Sequence, residues 1–329
     1  MRCLTLAGAL ADRGARCAFL EHPAAAAALQ VFAPPGVDRL GSAARSAAAM
    51  IDEAARLADL WEADGVVVDH YGCEAALESR LGGRPVAVLD DLADRPHACR
   101  LLMDPSVGRT AGDYAGLVPG EARVLAGPDY ALVRPAFGDL RRGCLSRRRL
   151  KTPPRRLLVS LGLTDLDGIT ARVVDAVAPV MEGVQLDVVL GADAPSLRPL
   201  RDRARRQPGL AVHVDTPRMA DLVASADLAI GAGGSSVWER ACLGLPSILV
   251  VLADNQRPMA AQLQRAGAAI LLEASAPGFD RELREAVQAL RVDTEARSAL
   301  STASAGLCDG GGAGRVAEAV LGLLRNGEP

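Results

Sequence analysis

Along the chain, short continuous apolar runs alternate with longer segments whose apolar residues recur at helical spacing. In the first half the runs are ARCAFL, GVVVDHYG, PVAVLDD and RLLMD; in the second they are RRLLVSLG, VQLDVVLG, LAVHVDT, DLAIGAGG and SILVVLA. Apolar runs of about four to eight residues without polar alternation have no water-facing side, so they predict parallel strands covered by helices on both faces. The expected class is α/β, with doubly wound sheets. The opening MRCLTLAGALADRG reads as a helix with an apolar face at Leu4, Leu6 and Leu10 and a stop at Gly14. The closing GAGRVAEAVLGLLRNG reads as an amphipathic helix with a glycine stop.

At 329 residues, half of them apolar, the chain is long enough for two cores. Between the halves, GDLRRGCLSRRRLKTPPRR is polar, basic and ends in two prolines, which reads as a linker with a solvated arginine run. The expected division is a Rossmann-like domain over 1–138, a linker over 139–154, and a second Rossmann-like domain over 155–329 that includes the closing helix. A formal charge of −3 argues against nucleic-acid binding through a basic surface. Seven cysteines show no C-x-x-C pair, so no disulfide framework, zinc site or metal is expected, and a reducing cytoplasm fits best. No run approaches about 18 apolar residues, so no membrane span is expected.

In open α/β sheets ligands bind beyond the carboxyl ends of strands. Those positions are Asp69 to Gly72 and Asp90 to Asp94 in the first half, and Gly162 to Asp165, Asp215 to Met219, Gly231 to Glu239 and Asp254 to Gln256 in the second. Two sets of strand ends suggest two domains facing across a cleft. The stretch GAGGSSVWER, following ADLAI, combines flexible residues, hydroxyls and a strand-to-helix junction. Such a junction offers unpaired N–H groups to a phosphate. A plain turn with a Ser236–Glu239 capping box is the alternative.

Taken in order, MRCLTLAGALADRGA, VVDHYG, LDDLADRPHACRLLMD, GPDYALVRPAF, VSLGLTD and MADLVASADLAIGAGGSSVWERACLGLPSILVVLADNQ carry a resemblance over nearly the whole chain. The chain resembles the UDP-sugar hydrolases of pseudaminic acid biosynthesis, which release UDP from a 2,4-diacetamido-2,4,6-trideoxy sugar and share the GT-B glycosyltransferase-like fold. The resemblance implies a UDP-binding C-terminal domain. Gly233, Gly234, Ser235 and Ser236 would meet the diphosphate and Glu239 the ribose, with Gly162, Asp165 and Met219 at neighbouring strand ends. Asn255 and Gln256 would face the sugar, although ADNQ also reads as a polar helix-capping turn. Tyr71 resembles an active-site tyrosine; His70 reads as a loop-holding residue, with Asp69 beside it as a further catalytic candidate. No cofactor is implied, and a monomer or weak oligomer is expected.

Two departures accompany the resemblance. Leu163 stands where the family has glycine, which restricts the backbone at a phosphate loop. Family members also begin with a strand and a G-x-G-H loop, whose histidine, usually assigned to catalysis, would lie two positions before Met1. The expectation is that the reading frame extends upstream, since a central strand is costly to omit. Inverting, metal-independent hydrolysis is the expected activity, with this 329-residue chain nearly inactive by itself. A GT-B glycosyltransferase using a UDP-amino sugar and a non-catalytic UDP-sugar binding protein are the alternatives.

Overall fold

The structure is a computed structural model and describes residues 1–149 and 152–325. In chain order the elements are α1 (Arg2–Ala11), β1 (Ala18–Glu21), α2 (Pro23–Phe32), β2 (Asp38–Gly41), α3 (Ala47–Leu60), β3 (Val66–Val68), α4 (Ala75–Glu78), β4 (Val86–Leu89), β5 (Leu101–Asp104) and β6 (Arg123–Ala126). There follow α5 (Pro135–Arg148), β7 (Arg156–Ser160), α6 (Ile169–Val177), β8 (Gln185–Leu190), α7 (Leu197–Ala204), β9 (Leu210–Val214), α8 (Met219–Ser225) and β10 (Leu228–Ala232). The chain ends with α9 (Ser236–Cys242), β11 (Ser247–Val251), α10 (Arg257–Arg265), β12 (Ile270–Glu273), α11 (Phe279–Val292), α12 (Thr294–Leu307) and α13 (Gly312–Arg325). All the runs predicted from the sequence form strands. The strands without a predicted counterpart, β2, β6 and β12, are each at a sheet edge; partial exposure removes the need for a continuous apolar run in β2 and β6, whereas β12, in AAILLE, is an apolar run absent from the predicted set.

Two compact units emerge, one of residues 1–133 with 311–329 and the other of residues 134–310. Unit 2 is built on six parallel strands in the order β12-β11-β10-β7-β8-β9. Read from β9, the order reverses between β7 and β10, which makes their carboxyl ends the topological switch point of a doubly wound sheet. Leu157, Val159, Val188, Leu190, Ile230 and Val250 from the sheet pack with Val173 and Val177 of α6 and Phe279, Leu283 and Val287 of α11.

Residues 139–154, expected as a linker, are helical through Arg148 and belong to unit 2; Leu150 and Lys151 lie outside the described residues. Arg142 and Arg149 are exposed, but three other arginines of the run are not a solvated face. Arg141 donates to the carbonyls of Cys242, Ala305 and Cys308, Arg147 to those of Ala224 and Ala226, and Arg148 to those of Val223, Ala226 and Leu243. These carbonyls lie at the carboxyl ends of α8, α9 and α12, where helices run out of internal donors. The basic run therefore caps three helices, a use that its composition does not distinguish from solvation.

Unit 1 carries a four-stranded parallel sheet, β3-β4-β5-β6, and a separate parallel pair, β1-β2. The single doubly wound sheet expected for this half is thus in two pieces, with no ladder between β1 and β3 among the described residues. Strand alternation divides the larger sheet's side chains: Ala87, Leu89, Leu101 and Met103 pack on one side, Val86, Val88 and Leu102 on the other. The first side is covered by Leu6 and Leu10 of α1 and by Val316, Ala317 and Val320 of α13. The closing helix, expected in the second domain, accordingly belongs to unit 1 because its apolar stripe is buried there; its glycine stop, Gly327, lies outside the described residues. Among the described residues no helix is long and apolar enough to cross a membrane.

Candidate functional site

Ser160 pairs with Gly231 in the ladder, so β7 and β10 end level at the switch point of unit 2. Beyond β10, Gly233, Gly234 and Ser235 turn the chain into α9. The helix begins at Ser236, and the preceding Ser235, its backbone already in the right-handed helical region, caps nothing with its side chain. The Ser236–Glu239 capping box is absent. Instead Ser236 Oγ accepts from Arg240 Nη1 at 3.0 Å, and Glu239 Oε1 accepts from Arg134 Nε at 3.0 Å and Nη2 at 2.8 Å. Both guanidinium bonds fall on one carboxylate oxygen, which leaves Oε2 of Glu239 for another donor.

Gln256 is drawn to the same turn. A Cβ built on Gly233 would lie 3.3 Å from Gln256 Cβ, so the glutamine packs directly on that glycine. Its Oε1 accepts from Leu252 N at 3.2 Å, which leaves the amide NH2 to donate elsewhere. Asn255, in the preceding turn, is exposed.

Past β7, Gly162 takes φ 107, a left-handed conformation that glycine supplies without strain. Leu163 follows and its carbonyl accepts from Gly191 N at 3.0 Å. Asp165 is fully buried and gives both oxygens to backbone amides: Oδ1 accepts from Thr170 N at 2.9 Å, Oδ2 from Ser196 N at 2.8 Å. It holds its loop and has no oxygen facing a ligand. Met219 is buried in the first turn of α8. Of the expected unit 2 residues, the structure therefore gathers Gly233, Ser236, Glu239 and Gln256 at one strand end, and commits Asp165 and Met219 to the framework.

In unit 1 the carboxyl ends of β3 and β4 hold a polar network. Asp69 accepts from Arg2 Nε at 3.0 Å and Nη2 at 2.6 Å, and from the Cys3 thiol at 2.9 Å. Burial opposes its ionisation, but Arg2 outweighs burial and holds its pKa below the usual carboxylate value. Asp91 is the converse. Its Oδ2 accepts from Arg2 Nη1 at 3.0 Å and from the Tyr71 hydroxyl at 3.1 Å, its Oδ1 is buried without a partner, and burial raises its pKa. Tyr71 itself is 47% exposed. His70 Nδ1 accepts from Gly72 N at 2.9 Å, which makes the ring a brace for its loop, as the sequence suggests.

Behind this layer, the Tyr114 hydroxyl lies 2.9 Å from Asp90 Oδ2 and 2.8 Å from Asp104 Oδ2, and with one hydrogen it donates to one of them at a time. Arg109 Nε and Ser106 N also donate to Asp104, at 2.6 and 2.8 Å.

Sequence reasoning does not single out Arg2, Asp91, Arg134 or Arg240. Asp91 lies within the strand-end stretch 90–94, and a paired acid after a strand is a signal of sorts. Arg134 and Arg240 give none, because their partners become visible only in three dimensions.

Comparison with known proteins now adds to this geometry. Residues 210–319 match the glycosyltransferase family 28 C-terminal domain. The spore coat polysaccharide biosynthesis protein SpsG of Bacillus subtilis is 32% identical over 155 residues, 46% of this chain and 44% of that protein. The chain thus spans under half the length of that relative. The UDP-2,4-diacetamido-2,4,6-trideoxy-beta-L-altropyranose hydrolase of Campylobacter jejuni is 22% identical over 206 residues, 61% of this chain and 71% of that enzyme. Among solved structures, MurG of Acinetobacter baumannii superposes with a TM-score of 0.67 at 15% identity, over 98% of this chain and 95% of that one. The chain has the GT-B, glycosyltransferase-like fold. The family 28 match includes the 231–240 turn, Arg240 and Gln256, whereas the Asp69–Asp91 network of this GT-B chain lies outside it.

Proposed function

We propose, in place of the near-inactivity expected from the sequence, that this chain acts on a UDP-linked 2,4-diacetamido-2,4,6-trideoxy sugar and hydrolyses it to UDP and free sugar, with a proton acceptor of its own in unit 1. The observation that supports the reading most is the turn at the switch point of unit 2, where Gly233, Ser236, Gln256 and the Arg134-held Glu239 come together. Amides and a hydroxyl suit a diphosphate, and a carboxylate with one free oxygen suits the ribose hydroxyls. The Campylobacter relative, by its name, acts on such a nucleotide sugar.

Within unit 1, Asp91 suits proton transfer better than the candidates Asp69 and His70. Asp69 is tied to Arg2 and kept ionised, and His70 is used by its own loop. Asp91 has a free oxygen and a raised pKa, and Tyr71 is placed to orient it.

Transfer of the sugar to an acceptor is the second reading, favoured by the family 28 match. Incubation with the UDP-diacetamido sugar separates the readings. UDP and free sugar in equal amounts, formed in water alone, mean hydrolysis. UDP formed only when an acceptor is added means transfer, and UDP-sugar binding without release means a non-catalytic binding protein.

A further inference from the structure

Arg240 is fully buried, 1% exposed, yet it has no ion pair with a carboxylate among the described residues. Its Nη2 donates to Ala232 O at 2.8 Å, its Nη1 donates to Ser236 Oγ at 3.0 Å, and its Nε has no partner. Ala232 and Ser236 are the residues that bracket Gly233-Gly234-Ser235, so the guanidinium is fixed across the base of the turn. Space for it comes from Gly231, where a Cβ would lie 2.5 Å from Arg240 Cζ and Nη1. The neighbouring acid, Glu239, is engaged by Arg134.

Arg148 shows what a framework arginine looks like in this unit. It is half-buried, and Nε, Nη1 and Nη2 each donate to helix-end carbonyls. Arg240 instead leaves a donor unmet at a strand's carboxyl end. Burial lowers its pKa to about 10, which leaves it cationic at neutral pH. A buried charge without a counter-charge is costly, and an anion arriving nearby offsets that cost.

We infer that Arg240 is the positioning residue of the turn: its buried charge draws a diphosphate to residues 232–236, and its bond to Ser236 Oγ turns that hydroxyl's hydrogen away from the guanidinium, toward a phosphate oxygen. The inference rests on reading unit 2 as the UDP site, but it assigns a role that no exposed residue of the turn reveals. Arg240 acts through the turn and not by contact with the sugar.

The test compares the full chain with Arg240→Met, which keeps length without charge, and Arg240→Lys, which keeps charge. Binding of UDP, inorganic pyrophosphate and uridine is measured by calorimetry, with thermal unfolding of each variant. Arg240→Met should weaken UDP and pyrophosphate by about ten- to a hundredfold and leave uridine unchanged. Its ligand-free Tm should hold or rise, since an unpaired buried charge is removed, while the rise in Tm caused by UDP shrinks. Arg240→Lys should retain most of the UDP affinity. Equal UDP and pyrophosphate binding by wild type and Arg240→Met overturns the inference, as does a fall in ligand-free Tm with all three ligands weakened together. If Arg240→Met does not fold, the role is structural and the inference fails unless Ser236→Ala, folded, weakens pyrophosphate without weakening uridine while Arg240→Lys, folded, retains both. Arg240-dependent binding of pyrophosphate by a chain that ignores UDP would sink the nucleotide reading and leave the inference standing; binding of none of the three by wild type sinks both.

Discussion

Both units end parallel strands on polar residues, and those strand ends carry opposite electrostatics. In unit 1 they present carboxylates, Asp69, Asp90, Asp91 and Asp104, each met by an arginine, a tyrosine or a backbone amide. In unit 2 they present a glycine-serine turn with a buried cation that no carboxylate meets. Unit 1's network closes on itself, so its acids mainly hold the fold, with one oxygen of Asp91 left over. Unit 2's turn holds a cation that no carboxylate meets among the described residues, the feature on which the proposed diphosphate site rests. Similar backbone scaffolds thus leave the chemistry to a few side chains at the strand ends.

The sharpest way to break this contrast is to remove an acid from unit 1. Asp104→Ala would strip Arg109, Tyr114 and Ser106 N of a common, fully buried acceptor. Loss of one partner in a buried pair costs about 3–5 kcal/mol, so denaturant unfolding should show a destabilisation of that size. If the cost is below about 1 kcal/mol, far under that range, the unit 1 acids are not structural and the contrast collapses.

The next effect belongs to unit 2. Gly231→Ala puts a Cβ where the Arg240 guanidinium sits, and overpacking of this kind costs about 1–3 kcal/mol. The same change made in an Arg240→Ala background should cost far less, because the clashing atoms are gone. Additive effects in the double variant would mean that Gly231 serves the turn for a reason unconnected with Arg240.

Much of this was legible in the residues. Continuous apolar runs located every central strand, and GAGGSSVWER marked the strand end where the unit 2 candidates gather. Edge strands such as β2 stayed hidden because DRLG, largely exposed, needs no apolar run. The arginines of α5 looked like a linker because composition records charge but not the helix-end carbonyls that accept from it. Arg240 follows Glu239 as an ordinary helix-surface pair would, and only the missing side chain at Gly231 shows that it turns inward. Asp91 sat within an identified stretch, but its difference from Asp69 depends on Arg2, which is 89 residues away in sequence from Asp91.

The smallest effect tests that last difference, because Arg2 binds both acids and their pKa values move in opposite directions. Asp69 has a folded pKa below its unfolded one, so its carboxylate contributes stability that is present above the unfolded pKa and lost as pH falls through the folded value. Asp91 has a raised folded pKa, so the fold favours its protonated form, and stability is lost as pH rises from the unfolded pKa through the folded one. At pH 7, Asp69→Asn should therefore destabilise, by about 1–2 kcal/mol once the exposure of the pair is allowed for. Asp91→Asn should be neutral or stabilising by a smaller amount, since Asn can still accept from Tyr71 or Arg2. At about pH 3.5, near the unfolded carboxylate pKa, both differences from wild type should narrow. Thermal unfolding of the two variants across this range reads the signs directly. If Asp91→Asn destabilises at pH 7 as much as Asp69→Asn, the free oxygen of Asp91 is incidental, both acids serve only to anchor Arg2, and unit 1 has no group poised to take a proton.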